Sequence, residues 1–215
     1  MPARADRPTR ARRVRRATGD DRELAILESF ERLLEQRALH AISIDDIARG
    51  AGISRPTFYF YFPSKDAVLL SLLDRMVEEA RAGRGDALQQ IASDPASGWR
   101  AAIQAFHATF RAHRAVTVAG ADARVSNPEV RALWTRVMEV LVEDTTVAIT
   151  AERTRGAAPP GLPARELAVA LNWMNERVLH TSFAGHAPTI DEARVVEVLL
   201  TIWLGAVYGT APTTP

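Results

Sequence analysis

The 215-residue chain is 47% hydrophobic and 25% charged with a formal net charge of +1, which suits a soluble globular protein with one sizeable core, or a small domain joined to a larger one. No apolar run approaches the roughly 20 residues that span a bilayer, and the basic N-terminal stretch is not followed by the apolar segment of a secretion signal. The absence of cysteine excludes disulfides, thiolate metal sites and cysteine nucleophiles, and it fits a reducing cytoplasm, the expected location.

The small net charge is unevenly spread. Residues 1–16 hold seven arginines (Arg4, Arg7, Arg10, Arg12, Arg13, Arg15 and Arg16) against Asp6 alone, a charge of +6 that leaves −5 for the remainder. Residues 1–19 therefore read as a disordered basic arm, either a solubilising tail or, beside a DNA-binding unit, an arm that meets phosphates. Thr18 or Asp20 then caps a helix in which Ile26, Leu27, Phe30, Leu33 and Leu34 form a buried stripe.

Ser43 to Lys65 contains two short helices joined by an Ala-Gly turn. Ser43 and Asp46 form a capping box for the first, Gly52 gives the turn its permissive backbone, and Ser54 caps the second with Pro56 in its first turn. Spacing assigns Phe58 and Phe62 to the core and leaves Arg55, Thr57, Tyr59 and Tyr61 for a partner, as donors and flat apolar surface suited to a DNA groove and its phosphates. With the preceding helix this makes a helix-turn-helix unit over residues 20–66. The unit holds nine acidic and six basic residues, so affinity for a duplex must come from local placement and the arm.

Pro63 ends the second short helix and Ser64 caps the next, with Lys65 in its first turn, an arrangement that can clamp a phosphate. Val68, Leu69, Leu72, Leu73, Met76 and Val77 carry this helix to about Arg84, where Gly83, Gly85, Asp94-Pro95 and Ser97-Gly98 break the pattern. Helices follow at about 99–112 with Ile103, Phe106 and Phe110 on one face, at 116–125, and at 128–155 behind an Asn127 cap with Leu133, Trp134, Val137, Met138, Leu141 and Thr145 inward. Two more are predicted at 163–184 and 190–208, the last opening with a Thr189-x-x-Glu192 capping box. That last helix is apolar on nearly every side, so it is either the centre of a monomer core or is covered by a second copy of the chain.

The stretch Thr57-Phe58-Tyr59-Phe60-Tyr61-Phe62-Pro63-Ser64-Lys65 after the Gly52 turn resembles the signature of TetR-type transcriptional repressors. Its likeness to mycobacterial members of that family extends over nearly the whole chain, through GDDRELAIL, GISRPTFYFYFPSK, ERTRGAAP and MNER. The resemblance implies an all-α fold of about nine helices, a helix-turn-helix domain at 20–66, an effector-binding and dimerisation domain at 67–210, and a tail at 211–215. It also implies a homodimer through the last two helices, double-stranded operator DNA and a small hydrophobic effector as partners, and a monooxygenase gene as a target. Ser54, Arg55, Thr57, Tyr59, Tyr61 and Lys65 are the expected DNA contacts.

Asn172, Asn175 and Glu176 share one helix face with Leu171, Met174 and Leu179, a polar stripe that faces either solvent or a pocket. The resemblance carries these three to the wall of an effector pocket, together with Trp99, Phe106, Phe110, Trp134, Met138, Thr145, Leu179 and Trp203; Ile103 and Leu141 complete the expected lining. Leu141 and Asp144 stand where the relatives have larger aromatics, and His180 where they have phenylalanine, so pocket size and polarity differ here. Catalytic readings lack support, because no nucleophile elbow, zinc-binding helix motif or phosphate loop occurs, and His107 and His113 are wrongly spaced for one helix face. Neither cofactor nor metal is expected. The competing function is an effector-independent architectural or recruitment protein, in which the aromatic residues are plain core.

Overall fold

The computed structural model describes residues 19–209, where the chain folds into nine α-helices and no strand. The basic arm, apart from Gly19, and the tail expected at 211–215 lie outside the described residues. The head consists of α1 (Gly19–Leu34), a 3₁₀ turn (Leu39–Ala41), α2 (Ile44–Gly50) and α3 (Arg55–Tyr61). Its core is Ile26, Leu27, Phe30, Ile47 and Phe58, all 3% exposed or less.

Local chemistry sets the geometry of the head. Ser43 N donates to Asp46 Oδ2 and Asp46 N donates to Ser43 Oγ, both at 3.1 Å, closing the expected capping box on α2. Ser43 Oγ also donates to Asp46 Oδ2 at 2.7 Å, and this bond, with that from Ser43 N, holds the Asp46 carboxyl below the usual carboxylate range. Gly52 has φ 69°, a left-handed value that turns the chain between α2 and α3. Ser29 Oγ donates to Ile47 O at 2.9 Å and ties α1 to α2, while a Cβ on Gly50 would stand 2.2 Å from that same Oγ. Gly50 is therefore a close-packing position.

The body begins with α4 (Lys65–Gln90) and continues with α5 (Pro95–Ala112), α6 (Arg114–Ser126), α7 (Pro128–Thr154), α8 (Ala164–Ala184) and α9 (Glu192–Tyr208). Two expectations fail here for one physical reason. α4 passes through Gly83 and Gly85 to Gln90, and α5 starts at Pro95 behind an Asp94 cap whose Oδ1 accepts from Ser97 N at 3.1 Å, running through Gly98. Each interior glycine costs about 1 kcal/mol relative to alanine, but Arg84, Ala87 and Ile91 are buried at this end of α4, and tertiary packing outweighs that propensity. Gly98 is part of that packing, since a Cβ there would lie 2.6 Å from Ile91 N.

α9 also starts differently from the expectation. Asp191, not Thr189, caps it by accepting from Ala193 N at 2.9 Å, and Thr189 hydrogen-bonds within its own loop. The far end of the body is closed by a polar chain: Trp99 Nε1 donates to Tyr208 Oη at 3.0 Å, and Tyr208 donates to Glu152 Oε2 at 2.7 Å. Glu152 is 2% exposed. Burial alone would raise its pKa, but hydrogen bonds from Arg155 at 2.6 and 2.7 Å and from Tyr208 outweigh that and lower it.

Replacing Tyr208 with Phe leaves the Trp99 donor and one lone pair of a buried carboxylate unmatched. We expect a loss of about 1–3 kcal/mol of stability, read as a fall in the midpoint of urea unfolding with the m-value unchanged.

Candidate functional site

α3 presents its surface in two halves. Phe58 and Phe62 are buried, as expected, while Tyr59 and Phe60 project outward, Phe60 with 83% of its surface exposed. Ser54 caps α3 by accepting from Thr57 N at 3.3 Å and also hydrogen-bonds Thr57 Oγ1 at 2.8 Å. Arg55 is exposed and held from two sides: Nη1 donates to Asp45 Oδ2 at 2.8 Å and Nη2 to Tyr59 Oη at 3.3 Å, with the guanidinium 5.7 Å from the Tyr59 ring centroid. This pre-positions Arg55 and Tyr59 as one unit on the outer face. Tyr61 is half-buried with its ring edge-to-face on Phe60 at 5.2 Å. Phe60 lay outside the expected site residues because its spacing from Phe58 assigns it to neither the core face nor the donor set.

Lys65 is placed differently from its expected role as the cation of a phosphate clamp. Its Nζ donates to Leu39 O at 2.9 Å and Ile42 O at 3.0 Å, so it closes the 3₁₀ turn of the head from the first turn of α4. What remains on the outside there is the helix start, where Ser64 Oγ accepts from Ala67 N at 3.1 Å.

A second site lies between α4, α5, α6, α7, α8 and α9. A cavity there is walled by Trp99, Ile103, Phe106, Phe110, Trp134, Met138, Leu141, Asn172, Asn175, Glu176, Leu179 and Trp203, which were expected there, by His180, which was expected at a pocket position, and by Arg84, Ala102, Thr117 and Ala121. Thr145 is the exception. It is fully buried behind the wall, where Oγ1 accepts from Arg84 Nη2 at 3.0 Å and from Asn172 Nδ2 at 3.1 Å. Asp144, expected at a pocket position, is outside the lining with its side chain 43% exposed.

The aromatic walls pack on one another. Phe106 stacks on Phe110 at 4.7 Å, Trp134 meets Phe110 edge-on at 5.9 Å, and Trp203 tilts against Trp99 at 5.0 Å. Consequently the cavity volume is only about 40 Å³, room for a few waters and well below the roughly 150 Å³ that admits benzene. The polar stripe faces the cavity with its groups already engaged: Asn175 Oδ1 accepts from Trp203 Nε1 at 2.9 Å, and Glu176 pairs with Arg124 at 3.1 Å. Arg124 lies 5.5 Å from the Trp134 ring and 6.0 Å from that of Trp173. Burial lowers the pKa of His180 and keeps its ring neutral.

A larger concavity of about 1720 Å³ lies between the head and the body, but it is an open groove of mixed lining, with charged side chains such as Glu35, Arg37, Arg111 and Glu197 beside apolar ones such as Val118 and Phe183. His113 at the α5–α6 junction joins body to head, reaching Glu31 of α1 through Nδ1 at 2.5 Å, and also meets Glu79 of α4 through Nε2 at 3.3 Å, while Asn127 Nδ2 donates to Asp66 Oδ2 in the first turn of α4 at 3.3 Å.

Comparison with known proteins follows the same division. Residues 26–72 match the model for bacterial regulatory proteins of the tetR family, and residues 99–209 match that for the C-terminal domain of the transcriptional regulator EthR. The chain is 55% identical to the HTH-type transcriptional regulator EthR of Mycobacterium tuberculosis (strain ATCC 25618 / H37Rv) over 205 residues, 93% of each chain. The chain belongs to the TetR family of transcriptional regulators and carries an EthR-type C-terminal domain. It is 47% identical to EthR of Mycolicibacterium smegmatis over 206 residues, 96% of this chain and 95% of that one. Its fold matches that of a TetR-family regulator from Syntrophomonas wolfei with a TM-score of 0.73 at 16% identity, covering 92% of this chain and all of the other. It is thus a DNA-binding regulator, not an enzyme, and α2–α3 is its helix-turn-helix.

The His113 bridge makes the head-to-body joint sensitive to pH. Burial of the ring opposes charging, but the hydrogen bonds and charges of Glu31 and Glu79 together outweigh it and raise the pKa above 6.5. A raised folded-state pKa contributes stability that is fully present below the unfolded value and is lost as pH rises through the folded one. We therefore expect His113→Gln to lower the Tm more at pH 5.5 than at pH 8.5 in paired thermal melts.

Proposed function

We propose that the chain is a ligand-responsive repressor that binds a quasi-palindromic operator as a homodimer and is released by a small hydrophobic effector. The observation that carries this reading is the narrow aromatic cavity, to whose wall α4, the helix that begins directly behind α3, contributes Arg84. An effector larger than a few waters has to part Phe106, Phe110, Trp134 and Trp203, and parting them displaces α4 or its neighbours. Such a ligand prefers the expanded state over the closed one, which is the differential affinity that a population shift requires.

In this reading residues 20–66 form the DNA-binding domain and 67–210 the effector and dimer domain. Arg55, Thr57 and Tyr59 meet base edges in the major groove, Ser54 and Tyr61 flank them, and Phe60 supplies apolar contact. Phosphates lie against the first turn of α4, which Lys65 anchors, and the basic arm adds non-specific affinity. The four-helix dimer interface is supported by an exposed apolar stripe on the last two helices, with Val169, Trp173 and Ile202 each between 37 and 44% exposed. Trp and its neighbours in such a patch favour burial against a second copy. Movement of α4 alters the separation of the two heads and breaks their register with successive major grooves. A monooxygenase gene is the target that the family likeness favours.

Two measurements test the reading. Footprinting on the DNA upstream of the protein's own gene should reveal a two-fold protected site, and Arg55→Ala with Tyr59→Ala should lose about 1–3 kcal/mol per base contact while retaining salt-sensitive non-specific binding. A surviving sequence preference would remove α3 from the reading role. Thermal melts with a panel of apolar amides, esters and acids should show a ligand that raises Tm and releases the operator. Intact operator binding with no response to any member would leave an effector-independent DNA-binding protein instead.

A further inference from the structure

Arg84 is the cation among the unmatched polar groups of the cavity wall, where Trp134 Nε1 and His180 Nδ1 are also buried without a hydrogen-bond partner. It is 5% exposed and lines the cavity beside Trp99, Ile103, Leu141 and Asn172. Its Nη2 donates to Thr145 Oγ1 at 3.0 Å, whereas its Nη1 is buried with no hydrogen-bond acceptor. Thr145 cannot serve both, because its hydroxyl already accepts from Arg84 Nη2 and Asn172 Nδ2 and has two acceptor lone pairs. Asn172 in turn donates to Ala168 O at 2.8 Å, which engages both of its amide hydrogens.

Asp144 Oδ2 is 3.8 Å from Arg84 Nη1, beyond hydrogen-bond reach. It balances part of the charge but leaves the donors unmet. The acid on the wall itself, Glu176, forms an ion pair with Arg124 at 3.1 Å, and burial lowers the pKa of His180. Arg84 Nη1 is therefore an unmet donor on a cation that Asp144 balances only in part, and its planar, forked donors fit a carboxylate.

We propose that the effector is an apolar carboxylic acid whose carboxylate pairs with Arg84 while its hydrocarbon or aryl body lies against Phe106, Phe110 and Trp134. This rests on reading the cavity as the effector site. An amide or ester of the same shape offers Nη1 one neutral acceptor and adds nothing to the partial charge balance from Asp144, so the acid is the preferred form.

The test uses the full chain and matched pairs, dodecanoate against dodecanamide and 4-phenylbutyrate against its amide, with binding read by calorimetry and by quenching of the cavity tryptophans. The expected result is an acid bound at least about 10-fold more tightly than its amide. Arg84→Leu should erase that preference while still binding the amide, and Asp144→Asn should tighten the acid about threefold or more by removing the competing carboxylate. Equal binding of acid and amide by the native chain overturns the proposal, as does a preference that survives Arg84→Leu. Should Arg84→Leu fail to fold, unchanged acid affinity in Asp144→Asn overturns it instead. Binding of amides or esters alone overturns the acid while keeping the cavity as effector site; if no apolar compound binds at the cavity, the effector reading and this proposal both fall.

Discussion

The apolar stripe of α4 must be covered along its whole length, and the covering comes from two different places. Val68 and Leu69 are buried where α4 leaves the head, while Met76, Ala80, Arg84 and Ala87 are buried farther along, among the helices of the body. An α-helix is stiff along its axis because its interior backbone groups are hydrogen-bonded from turn to turn. Head and body therefore share one rigid element, and a displacement at either end is felt at the other. The glycines that the chain places near the end of α4 do not interrupt it, because α5 packs against that segment closely enough for Gly98 to be required at the contact.

The cavity wall is the other side of the same constraint. Its aromatic rings satisfy one another when no ligand is present, so the unliganded state is stabilised by ring contacts that a ligand has to replace. The polar groups are arranged on the same principle: Asn172 and Thr145 bond to each other, Asn175 to Trp203, and Glu176 to Arg124. The matching stops at Arg84 Nη1, Trp134 Nε1 and His180 Nδ1, and of these three groups the guanidinium alone carries a permanent charge. A buried cation with an unmet donor is costly unless something supplies an acceptor, and its position on α4 couples that acceptor directly to the helix that carries the head.

The head achieves its shape with few parts. Two serine caps and one positive-φ glycine shape the turn between α2 and α3, the Ser29 bond ties α1 to α2, and Lys65 secures the 3₁₀ turn between α1 and α2 from α4. Arg55 is held by Asp45 and Tyr59 before any DNA arrives, which reduces the side-chain freedom that binding would otherwise remove. The acidic character of α2 therefore has a use on the reading face, since Asp45 orients the cation beside it.

The capping serines, the Gly52 turn, the Phe58 and Phe62 core positions and the all-helical periodicity follow from residue types at fixed spacings, because hydrogen-bond caps and amphipathic stripes are local properties. That is why the helix-turn-helix was legible in the chain itself, and why the aromatic and amide positions of the cavity could be named from helix faces and family likeness. Long-range packing decided the rest. The run of α4 through Gly83 and Gly85, the use of Gly98 as a contact, the inward turn of Lys65 and the retreat of Thr145 behind the cavity wall each depend on a neighbour distant in sequence. Arg84 shows the limit most clearly: in the sequence it is one arginine on a charged stretch between two glycines, and only the packing of α5 and α7 around it makes it a buried charge facing a cavity.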